Sequence, residues 1–131
     1  MSQENVDVVR STFEAFQKRD LDAFLGCFDP DVEYRSLVLE VEGTYRGHDG
    51  MRRWWDGLLA VFPNWNPQIV ESREVGRCVV SRVRAEGRGT GSGISYDRDI
   101  WHVGEVRDGR LWWSAFFRTE TEAVEAAGLR E

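Results

Sequence analysis

The stretch from Ser95 to Arg118 constrains the fold more than any other part of the chain. It places two runs of aromatic and β-branched residues on either side of Asp108-Gly109, a pair typical of a tight β-turn. Because side chains along a strand alternate between its faces, Ile100 and His102 share one face while Trp101 lies on the other. Neither face of this predicted hairpin is plainly polar. We therefore expect helices or a ligand to cover one face, and another subunit to cover the other.

Helical patterns precede the hairpin. Apolar residues recur at helical spacing in residues 2–19, 20–28 and 49–62. Asp20 and Asp49 are placed to cap the second and third of these helices, because an aspartate side chain accepts hydrogen bonds from the first backbone N–H groups. The first part of the chain is therefore predicted to be helical, apart from one strand.

Strand patterns occupy residues 32–39, 68–75 and 77–86. A glycine-rich stretch at 87–93 connects the last of them to the hairpin, and a short C-terminal helix follows at 119–128. The glycine-rich stretch has no Gly-Lys-Ser/Thr and opens no helix, so we interpret it as a β-connection and not as a phosphate site.

The order of these elements predicts a single α+β domain over residues 1–131. In this architecture three N-terminal helices wrap a strongly bent antiparallel or mixed sheet, and the short helix completes the chain. Such a sheet would enclose a cone-shaped cavity. The first helix, the third helix and the inner sheet face would line it.

Composition limits the partners of the chain. Its net charge is −6 and its pI is about 5.0, which argues against nucleic-acid and anionic-membrane partners. Cys27 and Cys78 lie far apart and no Cys/His spacing fits zinc, so we predict reduced thiols, no metal and no cofactor. The N-terminus has no cleavable apolar segment, and no apolar run has membrane-spanning length. We expect a cytoplasmic protein.

Several segments carry a resemblance to a known family. They are KRDLDAFLGCFDPDVEY (18–34), YRGHDGMRRWW (45–55), GRGTGSG (87–93), and HVGEVRDGRLWW (102–113) followed by EAVEAAGL (122–129). With these segments the chain resembles the SnoaL-like branch of the NTF2-like superfamily, which has a cystatin-like α+β cone. That superfamily includes ketosteroid isomerases, limonene epoxide hydrolases and polyketide cyclases. The resemblance implies the fold more strongly than a function, because this fold hosts enzymes and non-enzymes alike.

The chain lacks the catalytic residues of two activities found in the superfamily. The ketosteroid isomerases use a Tyr and two Asp residues, and the corresponding positions hold Thr12, Ser36 and His102. The epoxide hydrolases use an Arg between two Asp residues, and their last-strand Asp corresponds to Phe116. The resemblance therefore implies neither ketosteroid isomerisation nor epoxide hydrolysis.

The polyketide cyclases keep a His in the penultimate strand, and His102 matches that position. Their acidic base lies in the last strand, where this chain has Ser114, Phe116 and Arg118. The resemblance thus implies His102 as an acid–base group without its acidic partner. The alternative is an interior His whose hydrogen bonds are satisfied within the protein.

The remaining site candidates follow from the predicted inner face. Tyr34 would orient or polarise a ligand carbonyl, and Arg98 or Arg118 would offset developing negative charge. Alternatively, Tyr34 belongs to the core and both arginines reach solvent and pair with acids. The substrate-binding candidates are Phe16, Ser36, Trp54, Trp55, Arg98, Ile100, Ser114, Phe116 and Arg118.

The predicted outer face carries charges and large apolar side chains. Asp97 and Asp99 lie there, away from His102, and we expect them to pair with Arg82 or Arg84. Trp101, Trp113 and Phe117 project from the same face. An apolar patch of that size marks a partner surface, and relatives of this fold commonly dimerise sheet to sheet, so the resemblance implies a homodimer.

We hypothesise that the chain binds a small hydrophobic, carbonyl-bearing metabolite and acts on it by isomerase- or cyclase-type acid–base chemistry. One alternative is a non-catalytic small-molecule-binding module. Another is a dimerisation module whose cone is filled by its own aromatic side chains. An open cavity above roughly 300 Å³, the lower end for ligand sites, would remove this last alternative.

Overall fold

The computed structural model describes residues 2–37, 43–91 and 94–130. Within these ranges the chain forms four helices and six strands. They are α1 (Ser2–Gln17), α2 (Leu21–Gly26), β1 (Phe28–Arg35), β2 (Thr44–Arg46), α3 (Gly47–Val61), β3 (Asn66–Val75), β4 (Cys78–Arg88), β5 (Ser95–Arg107), β6 (Arg110–Phe117) and α4 (Glu120–Leu129). None of the described helices is long and apolar enough to cross a membrane.

The strands form one mixed sheet in the order β2-β1-β6-β5-β4-β3. Neighbouring strands are antiparallel except β1 and β6, which are parallel. Helices α1, α2 and α3 bury their apolar side chains with residues of one sheet face, here called the inner face. Helix α4 packs on the other, outer face. The predicted α+β cone with three N-terminal helices and a short C-terminal helix is confirmed.

The hairpin of β5 and β6 is confirmed with its predicted turn. Asp108 and Gly109 have φ angles of 52° and 77°, the left-handed pair that a tight turn between twisted strands requires. The two strands pair in register from Trp101 opposite Phe117 to Glu105 opposite Trp113, and one irregularity follows near the turn. This register brings the inner-facing residues of both strands side by side.

Helix α2 begins as the sequence predicts, whereas α3 does not. The side chain of Asp20 accepts a hydrogen bond from the backbone N–H of Ala23 over 3.1 Å. Helix α3 begins at Gly47, two residues before the predicted cap, and its cap position makes no side-chain hydrogen bond. Asp49 instead lies in the first turn and pairs with Arg52 at 3.1 Å. The prediction that Asp49 caps α3 is therefore wrong.

Other boundaries shift by a few residues. Strand β2, where the sequence predicts no strand, is a three-residue strand that pairs with β1. Residues 38 and 39 of the predicted strand 32–39, and residues 92 and 93 of the glycine-rich stretch, lie outside the described residues. The C-terminal helix continues through Gly128 to Leu129.

Helix α4 covers part of the outer face that was expected to meet another subunit. Thr119 caps α4 by accepting a hydrogen bond from the N–H of Glu122 over 3.2 Å. The helix buries Ala123 and Ala127 in one cluster with Trp113, which is only 6% exposed. The prediction that Trp113 projects from an open face is wrong, because α4 of the same chain packs onto it.

A buried carboxylate holds the end of α4 in place. Glu105 is 2% exposed, and it accepts hydrogen bonds from Arg107 over 2.8 Å and from Arg130 Nε over 3.0 Å. The guanidinium of Arg130 also lies 4.4 Å from the ring centroid of Trp113. Trp101 and Phe117, the other members of the predicted patch, remain half-buried. These two side chains are the part of the patch that stays accessible.

Candidate functional site

A small cavity lies between the three N-terminal helices and the inner sheet face. Its free volume is about 40 Å³, and its lining is mostly apolar and aromatic. By the same measure a single water needs roughly 10–15 Å³, whereas ligand pockets span roughly 300–1,000 Å³. The threshold of roughly 300 Å³ that would exclude a filled cone is not reached. Aromatic side chains therefore occupy most of the cone.

Most of the predicted site residues meet at this cavity. Its lining includes eight of them: Phe16, Tyr34, Ser36, Trp54, Ile100, His102, Ser114 and Phe116. Those from β5 and β6 face the cavity because residues two apart in a strand share a face. Trp55, Arg98 and Arg118 are not part of the lining.

His102 is a buried polar residue of the lining with an unusual environment. Its ring is 2% exposed and packs against Phe13 and Phe116, at centroid distances of 5.4 and 5.0 Å. Nε2 shares a hydrogen bond of 2.7 Å with the hydroxyl of Ser114. Nδ1 has no hydrogen-bond partner among the described residues, although it is buried. One ring nitrogen is thus hydrogen-bonded within the protein, and the other has no partner among the described residues.

Burial controls the charge of this histidine. Desolvation lowers the pKa of His102 to about 3, because the imidazolium would lose its hydration in an apolar site. No Asp or Glu belongs to the cavity lining formed by the described residues. His102 is therefore neutral near pH 7, with one nitrogen carrying a proton and the other accepting.

Gly104, which was not among the residues predicted from the sequence, leaves the space that the His102 ring occupies. A Cβ at Gly104 would lie 2.6 Å from Leu111 Cδ2 and 3.0 Å from His102 Cε1. Leu111 is fully buried and cannot move aside easily. A glycine inside a strand marks a close approach of other atoms, so the signal was present in the sequence two residues after His102.

A second polar group of the lining consists of Tyr34, Ser36 and Trp54. Trp54 Nε1 donates a hydrogen bond to Ser36 Oγ over 3.2 Å, and Tyr34 also hydrogen-bonds Ser36. Burial raises the pKa of Tyr34 well above its ordinary value, and the bond to Ser36 only partly opposes this. Tyr34 is therefore a neutral phenol, able to hydrogen-bond an uncharged oxygen.

The three predicted site residues that do not line the cavity are absent from it for separate reasons. Trp55 follows Trp54 on a helix, where neighbours point about 100° apart, and it packs on Phe16 and Phe24 at centroid distances of 4.9 Å each. Arg98 and Arg118 have the predicted face but lie near the strand ends beyond the cavity, where both are exposed. The guanidinium of Arg98 lies 5.2 Å from the ring centroid of Tyr96. Neither arginine can contact a molecule confined to the cavity.

The acidic pair on the outer face is structural. Arg82 Nη1 donates to Asp99 over 3.3 Å, and Arg84 hydrogen-bonds Asp97. The predicted pairing across the sheet is confirmed, so these carboxylates are not partners of His102. Among residues 2–37, 43–91 and 94–130, no three His, Cys, Asp or Glu side chains are placed to hold a metal ion.

Comparisons with known proteins agree with this architecture. TerC, co-crystallised with polyporic acid, is 22% identical, with a TM-score of 0.78 over 93% of this chain and 98% of TerC. A protein with a ketosteroid isomerase-like fold from Catenulispora acidiphila, in complex with trimethylamine, is 16% identical, with a TM-score of 0.74 over 92% of both chains. A protein suggested to be a polyketide cyclase, from Sinorhizobium meliloti, is 23% identical, with a TM-score of 0.70 over 84% and 93%.

These structural likenesses, all below 25% identity, show the fold. A search of curated proteins finds no significant match. The family model described as a SnoaL-like domain matches residues 9–114, which include strands β1 to β5, the first part of β6 and the whole cavity lining except Phe116. The chain therefore belongs to the SnoaL-like domain family.

Proposed function

We propose that this chain binds a small, uncharged and mainly apolar molecule whose carbonyl or hydroxyl oxygen hydrogen-bonds His102. The observation that carries this proposal is the buried Nδ1 of His102, which has no partner among the described residues. Leaving a buried polar group without a hydrogen-bond partner costs about 1–3 kcal/mol, so such groups are rare in folded proteins. A ligand oxygen at this nitrogen would recover that cost.

The chemistry of the lining supports an uncharged ligand. The described lining contains no charged side chain, and His102 is neutral because burial holds its pKa at about 3. A carboxylate or ammonium would lose its hydration in this cavity without gaining a counter-charge. The phenol of Tyr34 and the hydroxyls of Ser36 and Ser114 offer only neutral hydrogen bonds.

Binding is better supported than acid–base catalysis. With a pKa of about 3, roughly one His102 side chain in ten thousand is protonated at pH 7. Such a weak base is a poor proton acceptor for a carbon acid, and the described lining supplies no carboxylate to strengthen it. Recognition of an oxygen by a neutral imidazole needs no proton transfer.

An isomerase- or cyclase-type enzyme is the second candidate. The position of His102 favours it, because a neutral imidazole in the same cavity as the phenol of Tyr34 could polarise a carbonyl by hydrogen bonding alone. Polyporic acid in TerC and trimethylamine in the Catenulispora protein are small organic molecules bound by proteins of this fold. The enzyme candidate predicts that His102→Gln loses turnover on a substrate that still binds.

Matched compounds test the binding proposal. Cyclohexanone, methylcyclohexane and cyclohexanecarboxylate share a six-membered ring and differ in the oxygen and the charge. We expect cyclohexanone to raise the melting temperature of the wild-type protein more than the other two compounds do. A ligand at 100 times its dissociation constant adds about 2.7 kcal/mol to the free energy of unfolding, which is large enough to measure. His102→Phe should remove the preference for cyclohexanone over methylcyclohexane. The proposal would be contradicted if none of the three compounds stabilised the wild type. It would also be contradicted if His102→Phe preferred cyclohexanone over methylcyclohexane as strongly as the wild type does.

The proposal includes a homodimer and a cytoplasmic location. Trp101 and Phe117 remain half-buried on the outer face beside α4, which supports contact with a second copy there. Light scattering after gel filtration should give twice the mass of 15.1 kDa, and Trp101→Ser should lower it. The thiols of Cys27 and Cys78 support a reducing compartment.

A further inference from the structure

We infer that Phe116 is the movable wall of the cavity, and that a ligand ring binds by displacing the Phe116 ring and taking its place beside His102. Phe116 would then determine the size and shape of the ligand that the cone accepts. This inference rests on the proposed function and adds the route of entry and the class of ligand: a molecule with one six-membered ring and one uncharged oxygen.

The exposure of the lining identifies where a ligand enters. Among the described lining residues, Leu37 and Phe116 are half-buried, and all others are buried. Both residues, together with the buried Ser36, also line a neighbouring surface groove of about 440 Å³. The Phe116 side chain therefore lies between the cavity and this wider groove.

The contacts of Phe116 are the contacts that a bound ring would need. Its ring centroid lies 5.0 Å from that of His102, 6.1 Å from that of Tyr34 and 6.3 Å from that of Phe13. These are ordinary aromatic packing distances. A ligand ring in the same place would meet these three side chains and bring an oxygen substituent within reach of His102.

The volumes require such a displacement. The cavity of about 40 Å³ holds a few waters, whereas the groove of about 440 Å³ lies within the range of ligand sites. Backbone pairing of Phe116 with His102 fixes the strand, so a change of side-chain rotamer alone can join the two spaces. The ring of the ligand would occupy the cone, and any remaining part would lie in the groove.

The wall of the cavity at Trp65 is held in place by Arg19. Its guanidinium donates hydrogen bonds to the carbonyl oxygens of Phe16 over 2.9 Å, Trp65 over 2.7 Å and Pro63 over 3.2 Å. Trp65 is buried in the lining and packs on Phe62 at a centroid distance of 5.3 Å. Opening at Trp65 would break these interactions, whereas moving the Phe116 ring breaks no described hydrogen bond.

Association kinetics test the inference. Stopped-flow quenching of Trp fluorescence by cyclohexanone would be measured in the wild type, in Phe116→Leu and in the control Phe62→Leu. The control loosens a buried aromatic residue next to Trp65, outside the lining. We expect association at least tenfold faster in Phe116→Leu and within twofold of the wild type in Phe62→Leu. Equal rates in the wild type and Phe116→Leu, or a larger increase in Phe62→Leu, would overturn the inference.

The outcomes separate the inference from the proposed function. If cyclohexanone binds neither the wild type nor Phe116→Leu, the proposed function fails. If it binds both at the same rate, the function stands and the role of Phe116 fails. Should Phe116→Leu not fold, a crystal structure of the wild type with cyclohexanone decides: the inference requires the Phe116 ring in another rotamer and the ligand ring in its place, and an unmoved Phe116 refutes it.

Discussion

Replacing Gly104 by Ala should destabilise the protein, although glycine-to-alanine changes in regular structure usually stabilise it. The new methyl would lie 2.6 Å from Leu111 Cδ2 and 3.0 Å from His102 Cε1. Real Cβ atoms do not approach other atoms as closely as 2.6 Å, and Leu111 is fully buried. Overpacking of this kind costs about 1–3 kcal/mol, which exceeds the about 0.4–1 kcal/mol gained from the restricted unfolded chain. We therefore expect a net loss of about 1–2 kcal/mol.

Urea unfolding, followed by far-UV circular dichroism, measures this loss. Gly128→Ala is the matched control, because nothing lies within 4 Å of a Cβ there and Gly128 is inside α4. The control should gain about 0.5–1 kcal/mol. Gly104→Ala should also weaken cyclohexanone binding, because the methyl pushes against the His102 ring. A Gly104→Ala protein as stable as the wild type, with unchanged slope in urea, would refute this account of the close approach.

Two further predictions concern buried ionisable groups. Because the pKa of His102 is lowered to about 3 in the folded protein from 6.5, the unfolded chain binds more protons between these values, and His102 makes stability fall as the pH decreases through that window. From pH 7 to pH 5, His102 should lower the free energy of unfolding by about 2 kcal/mol. Urea unfolding of the wild type and of His102→Gln at both pH values measures this difference. Equal pH dependence in the two proteins would show that His102 is not buried as described. Glu105→Gln should lower the free energy of unfolding by about 2 kcal/mol, because it weakens the contacts with Arg107 and Arg130. The control is Glu71→Gln, at an exposed residue 3.5 Å from Arg82, which should change the free energy of unfolding by less than about 0.5 kcal/mol. A cost below that of the control would contradict the role of Glu105 in fastening α4.

Strand alternation explains why the inner face could be predicted. Ile100 and His102 on β5, and Ser114 and Phe116 on β6, all line the cavity, because a period of two is a local property of the chain. The turn at Asp108-Gly109 fixes the register that places these residues side by side. The local alternation was sufficient to predict this part of the cavity lining.

Alternation predicts the face of a residue and not its depth. Arg98 and Arg118 lie on the expected face of their strands, but they lie beyond the cavity, where the strand ends reach solvent. How far a helix covers a strand depends on contacts distant in sequence. For the same reason the sequence could not show that His102 bonds Ser114, or that no Asp or Glu among the described residues lines the cavity.

The outer face shows a similar limit. Trp113 was expected to meet a partner, and its large apolar surface does need a cover. The cover is α4, which packs back on the sheet through Ala123 and Ala127 and is fastened by Arg130 on Glu105. A sequence pattern indicates that a surface must be buried. It does not indicate whether the same chain or a second copy buries it.

Nitrogen-15 NMR of the imidazole rings tests the central claim most directly. The chain has two histidines, so a His48→Gln variant assigns the signals of His102. At pH 7 we predict a neutral His102 ring, and addition of cyclohexanone should shift the Nδ1 resonance while Nε2 keeps the resonance of its bond to Ser114. An imidazolium at pH 7, or an Nδ1 resonance that does not change when cyclohexanone binds, would contradict the claim that this nitrogen recognises the oxygen of an uncharged ligand.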